Sequence, residues 1–207
     1  MFFCTSVKIT STMKKLFPLF ALLLASCAGN QQANNETAAP AEEEVAYVDT
    51  LAANHPEYLP EIEVGTIAPN FTANDTLGQA INLTDFQGKW VVVDFWASWC
   101  GDCRREMPEV IELFNDLNGK QLKGADVQFL SHSFDRAEEN WKNYLCANEM
   151  PWPPISTLEP KWKDIAVTQA YGLHWIPAFI LVSPEGKIAG KAITAKGLRQ
   201  VIKDASR

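Results

Sequence analysis

DFWASWCGDCRREMP, running from Asp94 to Pro108, places Cys100 and Cys103, separated by two residues, where one local pattern gives way to another. Upstream, WVVVDFW (Trp90 to Trp96) is short, apolar and β-branched, as in a central strand buried on both faces. Downstream, Met107, Val110, Ile111, Phe114 and Leu117 recur at spacings of three and four. That period predicts a helix from Gly101 to about Asn118, ended by Asn118-Gly119. Cys100 thus falls at a helix N-terminus, where unpaired backbone N–H groups and the helix dipole favour an anion. The thiolate is the nucleophile of disulfide exchange, so this position lowers the Cys100 pKa and activates it. Cys103 lies about one turn on, placed to close a small disulfide and to resolve a mixed one.

Outward from this stretch, GTIAPNFTANDTLGQAINLTDF reads as two short strands around a Leu77-Gly78 turn. Further strands are expected at Val127 to Leu130, Ala178 to Val182 and Lys187 to Ile193, the last two joined by a Ser183-Pro184-Glu185-Gly186 turn. Helices are expected at Arg136 to Asn148, Lys161 to Tyr171 and from about Ala195. MPWPP ends the first of these. The fold class is therefore α/β: a mixed central sheet flanked by helices, with an N-terminal β-hairpin extension, over residues 61–207.

VVDFWASWCGDCRREMP (Val92 to Pro108) resembles the active-site segment of thioredoxins and, more closely, of the membrane-tethered TlpA/ResA-like thiol-disulfide oxidoreductases. The hairpin sequence and YGLHWIPAFILVSPEGKI extend the likeness through most of residues 62–206. The resemblance implies a thioredoxin-like fold, with Cys100 as nucleophile and Cys103 as resolving thiol. It implies a cis Ile176-Pro177 bond beside the disulfide, with Ile176 and Pro177 offering backbone to an extended substrate. Trp99 and Trp175 would flank the docking surface. Asp94 matches the buried Asp of thioredoxins; a desolvated carboxylate there has a raised pKa and can take the proton of Cys103. Glu106 matches a Glu that many ResA-like proteins place beside their disulfide. Asp94 is preferred as the acceptor because it is embedded in the apolar run. Three departures stand out. Gly101-Asp102 replaces the usual Pro-containing pair and puts a negative charge by the thiols. Ala178 replaces the usual Thr after the proline. Cys146 is extra, and is expected as a half-buried small residue of its helix.

The N-terminus is read separately. Lys14 and Lys15 precede an apolar run, Leu16 to Leu24, too short to span a bilayer of ~30 Å. Leu24-Ala25-Ser26-Cys27 resembles the lipobox of bacterial lipoproteins, which implies lipidation of Cys27. Residues 1–27 are thus expected to be a signal peptide and lipobox, with the true start at Met13. Residues 28–60, which open with the polar, low-complexity stretch AGNQQANNETAAPAEEEVA, are expected to be a flexible tether; docking of Tyr47, Tyr58 and Leu59 on the domain is left open. The expected location is the cell envelope, facing the periplasm. The outer membrane is preferred because no Asp follows Cys27.

The net charge of -7 argues against a nucleic-acid partner. Expected partners are the disulfides and thiols of proteins and a membrane electron-donor protein, and the resemblance leans toward a reductant serving cytochrome c maturation or other envelope thiols. No cofactor and no metal is expected. Two alternatives remain open at this point: a peroxiredoxin-like thiol peroxidase, and a copper-handling thioredoxin-fold module using Cys100, Cys103 and His174. His132, at the end of a strand, is expected to be a structural hydrogen-bonding residue.

Overall fold

A computed structural model of the chain describes residues 48–148, 150–152, 154–158 and 162–207. The expected signal segment and lipobox, with Cys27, and the tether as far as residue 47 lie outside the described residues. The described chain opens with α1 (Thr50–Asn54) and a 3-10 turn (Pro56–Tyr58), then the hairpin β1 (Thr72–Asp75) and β2 (Ala80–Asn82). The redox stretch supplies β3 (Trp90–Trp96) and α2 (Gly101–Leu117). There follow β4 (Gln121–Leu122), β5 (Ala125–Ser133), α3 (Glu138–Asn148), β6 (Pro154–Ser156) and α4 (Ala166–Tyr171). The chain ends with β7 (Ala178–Val182), β8 (Ile188–Ala192) and α5 (Ala195–Ser206).

These strands join one sheet in the order β2-β1-β6-β5-β3-β7-β8, with β4 paired to β5. Every residue of β3 is buried, as its unbroken apolar run requires of a central strand. It runs parallel to β5 and antiparallel to β7, so the sheet is mixed. The β1–β2 hairpin extends one edge through β6.

The β3–β5 register sets the two faces. Val92 lies beside Phe129 and Asp94 beside Ser131, so these four side chains share a face. Phe114 of α2 meets Phe129 edge-on, ring centroids 5.3 Å apart. The helix that begins after Cys100 therefore covers the face carrying Asp94. Tyr144 of α3 meets Trp96 on the same face, and α5 packs beside α2. The opposite face holds an aromatic core of Phe71, Phe95, His132, Phe134 and Tyr171, the last supplied by α4.

Four expectations need correction. Pro154, the last residue of the MPWPP run expected to stop a helix, opens an unexpected strand, Pro154–Ser156, parallel to β5 and antiparallel to β1. At this first position the missing N–H is tolerated. The helix expected from Lys161, itself outside the described residues, to Tyr171 is a 3-10 turn (Trp162–Asp164) and then α4, separated by Ile165, whose extended backbone interrupts the helix. Cys146 is exposed, not half-buried. Finally, residues 49–60, expected as tether, are structured and docked. Asp49 caps α1 through Oδ1, which accepts from Ala52 N–H at 3.1 Å, while Oδ2 accepts from Thr194 Oγ1 at 2.6 Å. Lys191 Nζ donates to the Pro60 carbonyl at 2.5 Å, and Glu61 N–H to the Gly172 carbonyl at 3.0 Å. The domain accepts this strap with two glycines. A Cβ on Gly172 would collide with Glu61, and one on Gly197 with Asp49.

Candidate active site

The two cysteines form a disulfide. Cys100 is the N-cap of α2, and its Sγ accepts the Cys103 backbone N–H at 3.1 Å. This orphan donor of the first turn points at the sulfur that has to carry charge. Cys100 keeps 7% of its surface and Cys103 only 1%. Both residues are buried, and Cys100 is the more exposed of the two, which favours it as the one that meets substrate. The loop before β7 closes over the pair: Ile176-Pro177 is cis, and the Ile176 carbonyl oxygen lies 3.5 Å from Cys100 Sγ. Trp99, half exposed, precedes the nucleophile on the surface. Asp102, the charge expected to oppose the thiolate, is ion-paired with Arg105 one turn on. Both side chains are solvent-exposed enough for the pair to be screened.

Asp94 is 1% exposed on the face beneath α2. Burial pushes its carboxyl up to about 7, against the opposing pull of the Ser131 hydroxyl, which donates to Oδ2 at 2.7 Å. Ser131 Oγ in turn accepts from Trp152 Nε1 at 2.7 Å. This relay fixes the carboxylate within an otherwise apolar layer. An acid of pKa near 7 exchanges protons at neutral pH, which is what a proton acceptor for a resolving thiol needs. Glu106 occupies a different place. Its Oε2 accepts the Ala195 N–H at 2.7 Å, at the start of α5. Glu106, Trp175 and Pro177 line a cavity of about 120 Å³, which Tyr58 and Leu51 of the strap also line.

Sequence reasoning missed Asp135. Fully buried, it accepts from Ser98 N–H (2.9 Å), Ser98 Oγ (2.6 Å) and Ser133 Oγ (2.6 Å). It clamps the loop from β3 to α2 one residue before Trp99. Only the polar SHSFD at the end of a strand hinted at it. Replacing Asp135 by Ala leaves the Ser98 donors unpaired, and should lower stability in urea by ~3 kcal/mol. His132 is another correction. Neither ring nitrogen meets a hydrogen-bond partner among the described residues, and burial lowers its pKa to about 4. It is a neutral member of the aromatic core. His174 is exposed, with Nε2 2.9 Å from Glu61 Oε1. Among the described residues, no group of three or more His, Cys, Asp or Glu side chains is disposed to hold a metal ion.

A cysteine at the head of a helix and against a cis-proline loop, disulfide-bonded to a more deeply buried one a turn on, is the arrangement of a thioredoxin-like thiol-disulfide oxidoreductase. Known proteins agree. Residues 64–191 match the model of the AhpC/TSA family. The chain is 30% identical over 128 residues to the thiol-disulfide oxidoreductase ResA of Bacillus thuringiensis subsp. konkukian, covering 62% of this chain and 68% of that one. It is 30% identical over 154 residues to ResA of Geobacillus thermodenitrificans, covering 74% and 82%. Among solved structures, the thioredoxin domain of a thiol-disulfide oxidoreductase from Bacteroides vulgatus superposes with a TM-score of 0.61 at 31% identity, covering 71% of this chain and 100% of that one. A thiol:disulfide interchange protein from Bacteroides sp. gives 0.60 at 32%, covering 69% and 90%. The chain belongs to the AhpC/TSA family, as a ResA/TlpA-like thiol-disulfide oxidoreductase.

Proposed function

We propose that the protein reduces disulfides in proteins of the cell envelope, anchored to a membrane by lipid on Cys27 and recharged by a membrane electron-donor protein. The observation that carries the direction is buried Asp94. Strong oxidants of this chemistry have a stabilised reduced form, with a low-pKa thiolate. A carboxylate ionised above about pH 7, on the face that α2 covers, opposes thiolate formation and so favours the disulfide form of the enzyme.

The exchange runs in two balanced steps. The Cys100 thiolate attacks one sulfur of the substrate disulfide, and the other sulfur leaves as a thiolate and takes a proton. Cys103 then gives its proton to Asp94 and attacks Cys100 Sγ, expelling the second substrate thiolate. Two electrons pass to the substrate, and the Cys100–Cys103 disulfide remains. Ile176 and Pro177 shape the groove against Cys100, Trp99 and Trp175 border it, and Glu106 sets α5 beside it. Lipidation of Cys27, the periplasm-facing location and the lean to the outer membrane rest on the lipobox-like segment and on the absence of an Asp after Cys27. The likeness to ResA supports service to envelope thiols such as those of cytochrome c maturation.

Equilibration of the protein with glutathione or dithiothreitol buffers tests the reading. A potential near or below ~-250 mV is expected, close to thioredoxin at ~-270 mV; one near ~-120 mV would make it an oxidant. Radiolabelled palmitate should enter the full-length chain expressed in a bacterium, and should be lost on Cys27→Ala. Turnover of hydrogen peroxide faster than of disulfides would favour the peroxidase alternative.

A further inference from the structure

The strap of residues 49–60 does more than lead into the domain. Its aromatic side chains continue the wall of the active site. The Tyr58 ring stacks on Trp175 at 4.3 Å, nearly parallel, and His55 stacks on the outer side of Tyr58 at 4.7 Å. Trp175 is two residues before Pro177, whose loop carries the carbonyl 3.5 Å from Cys100 Sγ. The cavity of about 120 Å³ beside Pro177 is lined by Leu51 and Tyr58 from the strap, by Trp175, Pro177 and Ile193 from the domain, and by the charged Asp102, Arg105 and Glu106 of α2. Asp49 fixes the upstream end of the strap on Thr194, and the Pro60 carbonyl on Lys191 fixes the downstream end. Gly197 leaves room for Asp49, and Gly172 for Glu61, the residue that follows the strap.

We infer that Tyr58, together with Leu51, determines substrate specificity. The strap makes the cavity next to the nucleophile into a pocket for one apolar side chain of the substrate polypeptide, adjacent to its disulfide cysteine. This rests on the reading of Cys100 as the attacking sulfur. A polypeptide lying along the cis-proline loop brings its disulfide to Cys100 and its neighbouring side chain to Pro177 and Tyr58. An apolar side chain there covers the exposed parts of the Tyr58 and Trp175 rings. A polar one would be desolvated against the Leu51, Tyr58, Trp175, Pro177 and Ile193 side of the cavity, while the charged groups on its other side are already engaged, Asp102 with Arg105 and Glu106 with the Ala195 N–H.

The test uses the full chain and two synthetic peptides, each carrying a glutathionylated cysteine and differing only in Leu or Ser just before it. The ratio of kcat/KM for the two is read within each variant, so that a general change in thiol reactivity cancels. The wild type should favour the Leu peptide by about ten-fold. Tyr58→Phe, which keeps the stacked ring, should retain that ratio. Tyr58→Ala should reduce it to below about three-fold, as should Leu51→Ser, made at a position 39% exposed and outside the core. Equal turnover of both peptides by the wild type overturns the inference. So does an unchanged ratio in both Tyr58→Ala and Leu51→Ser, or faster turnover of both peptides in either, which would mean that the strap is a cover. No turnover of either peptide by the wild type would sink the oxidoreductase reading itself.

Discussion

Replacing Cys100 with serine should lower kcat/KM for disulfide reduction by ~10⁴-fold or more, the scale on which enzymes respond to losing their nucleophile. Cys100 is the more exposed of the two cysteines, and the Cys103 N–H and the head of α2 are aimed at its sulfur. A serine hydroxyl in the same place stays protonated and does not attack. Cys103→Ser should behave differently. Cys103 is 1% exposed, so its role lies after the first attack. That variant should still react once and then stop, with substrate held on Cys100. Intact-mass measurement checks this: one substrate adduct per chain in Cys103→Ser, none in Cys100→Ser, and release of the adduct on adding dithiothreitol. Adducts on both variants would mean that the two sulfurs are equivalent, against their difference in exposure.

Asp94→Asn should raise stability at pH 8 while slowing catalysis. The folded protein keeps the Asp94 proton up to about pH 7, whereas the unfolded chain releases it near 3.8. The stability this gives is present below pH 3.8 and lost as pH rises to about 7. His132 has the opposite sign. Its pKa is about 4 when folded and near 6.5 when unfolded, so its contribution is present above pH 6.5 and lost as pH falls to about 4. Each group changes stability by about 1.4 kcal/mol per pH unit within its window. The two slopes oppose each other from pH 4 to 6.5. They arise on opposite faces of the sheet, so the contributions add independently. At pH 8 the asparagine removes about 4 kcal/mol of burial penalty. The new amide donors, placed where an acceptor stood, cost about 1–3 kcal/mol. The net expectation is a gain of about 1–3 kcal/mol in urea unfolding at pH 8. Acidification from pH 6.5 to 4 should then cost the variant about 3 kcal/mol, because His132 titrates unopposed. His132→Leu should reverse that slope. A variant less stable than wild type at pH 8 would show that burial does not hold the Asp94 proton, and a flat acid profile in that variant would show that burial does not lower the His132 pKa. On the catalytic side, the proposed role of Asp94 as proton acceptor predicts that the variant releases the mixed disulfide ~10²-fold more slowly. The defect should shrink as pH approaches the thiol's own range, where Cys103 ionises without help.

Much of the fold and the central part of the site are legible in the sequence, because their signals are local. The Trp90–Trp96 run and the three-and-four spacing after Gly101 each declare one element, and the structure places both within a residue of expectation. The position of Cys100 at a helix start follows from those two boundaries alone. So does the buried setting of Asp94, a charged residue inside an apolar run. The same reasoning fails where local pattern is weak. β6 is three residues long and begins with a proline, and it is a strand only because β5 and β1 offer it edges to pair with. Asp135 looks like a loop residue in the sequence, and gains its meaning from Ser98, 37 positions away.

The strap is the sharpest case. The stretch from Ala28 to Ala46 is poor in large apolar groups, and composition of that kind, extended over residues 28–60, reads as a segment that does not order itself. Its last twelve residues are ordered by surfaces that other elements supply: Thr194, 145 positions from Asp49, and the Trp175 ring under Tyr58. Sequence by itself determined the strand, the helix and the cysteine pair between them, because periodicity and helix-end chemistry act within a few residues. Tertiary structure alone decided what stands beside that pair, because a wall built from residues more than a hundred positions apart leaves no period in the chain.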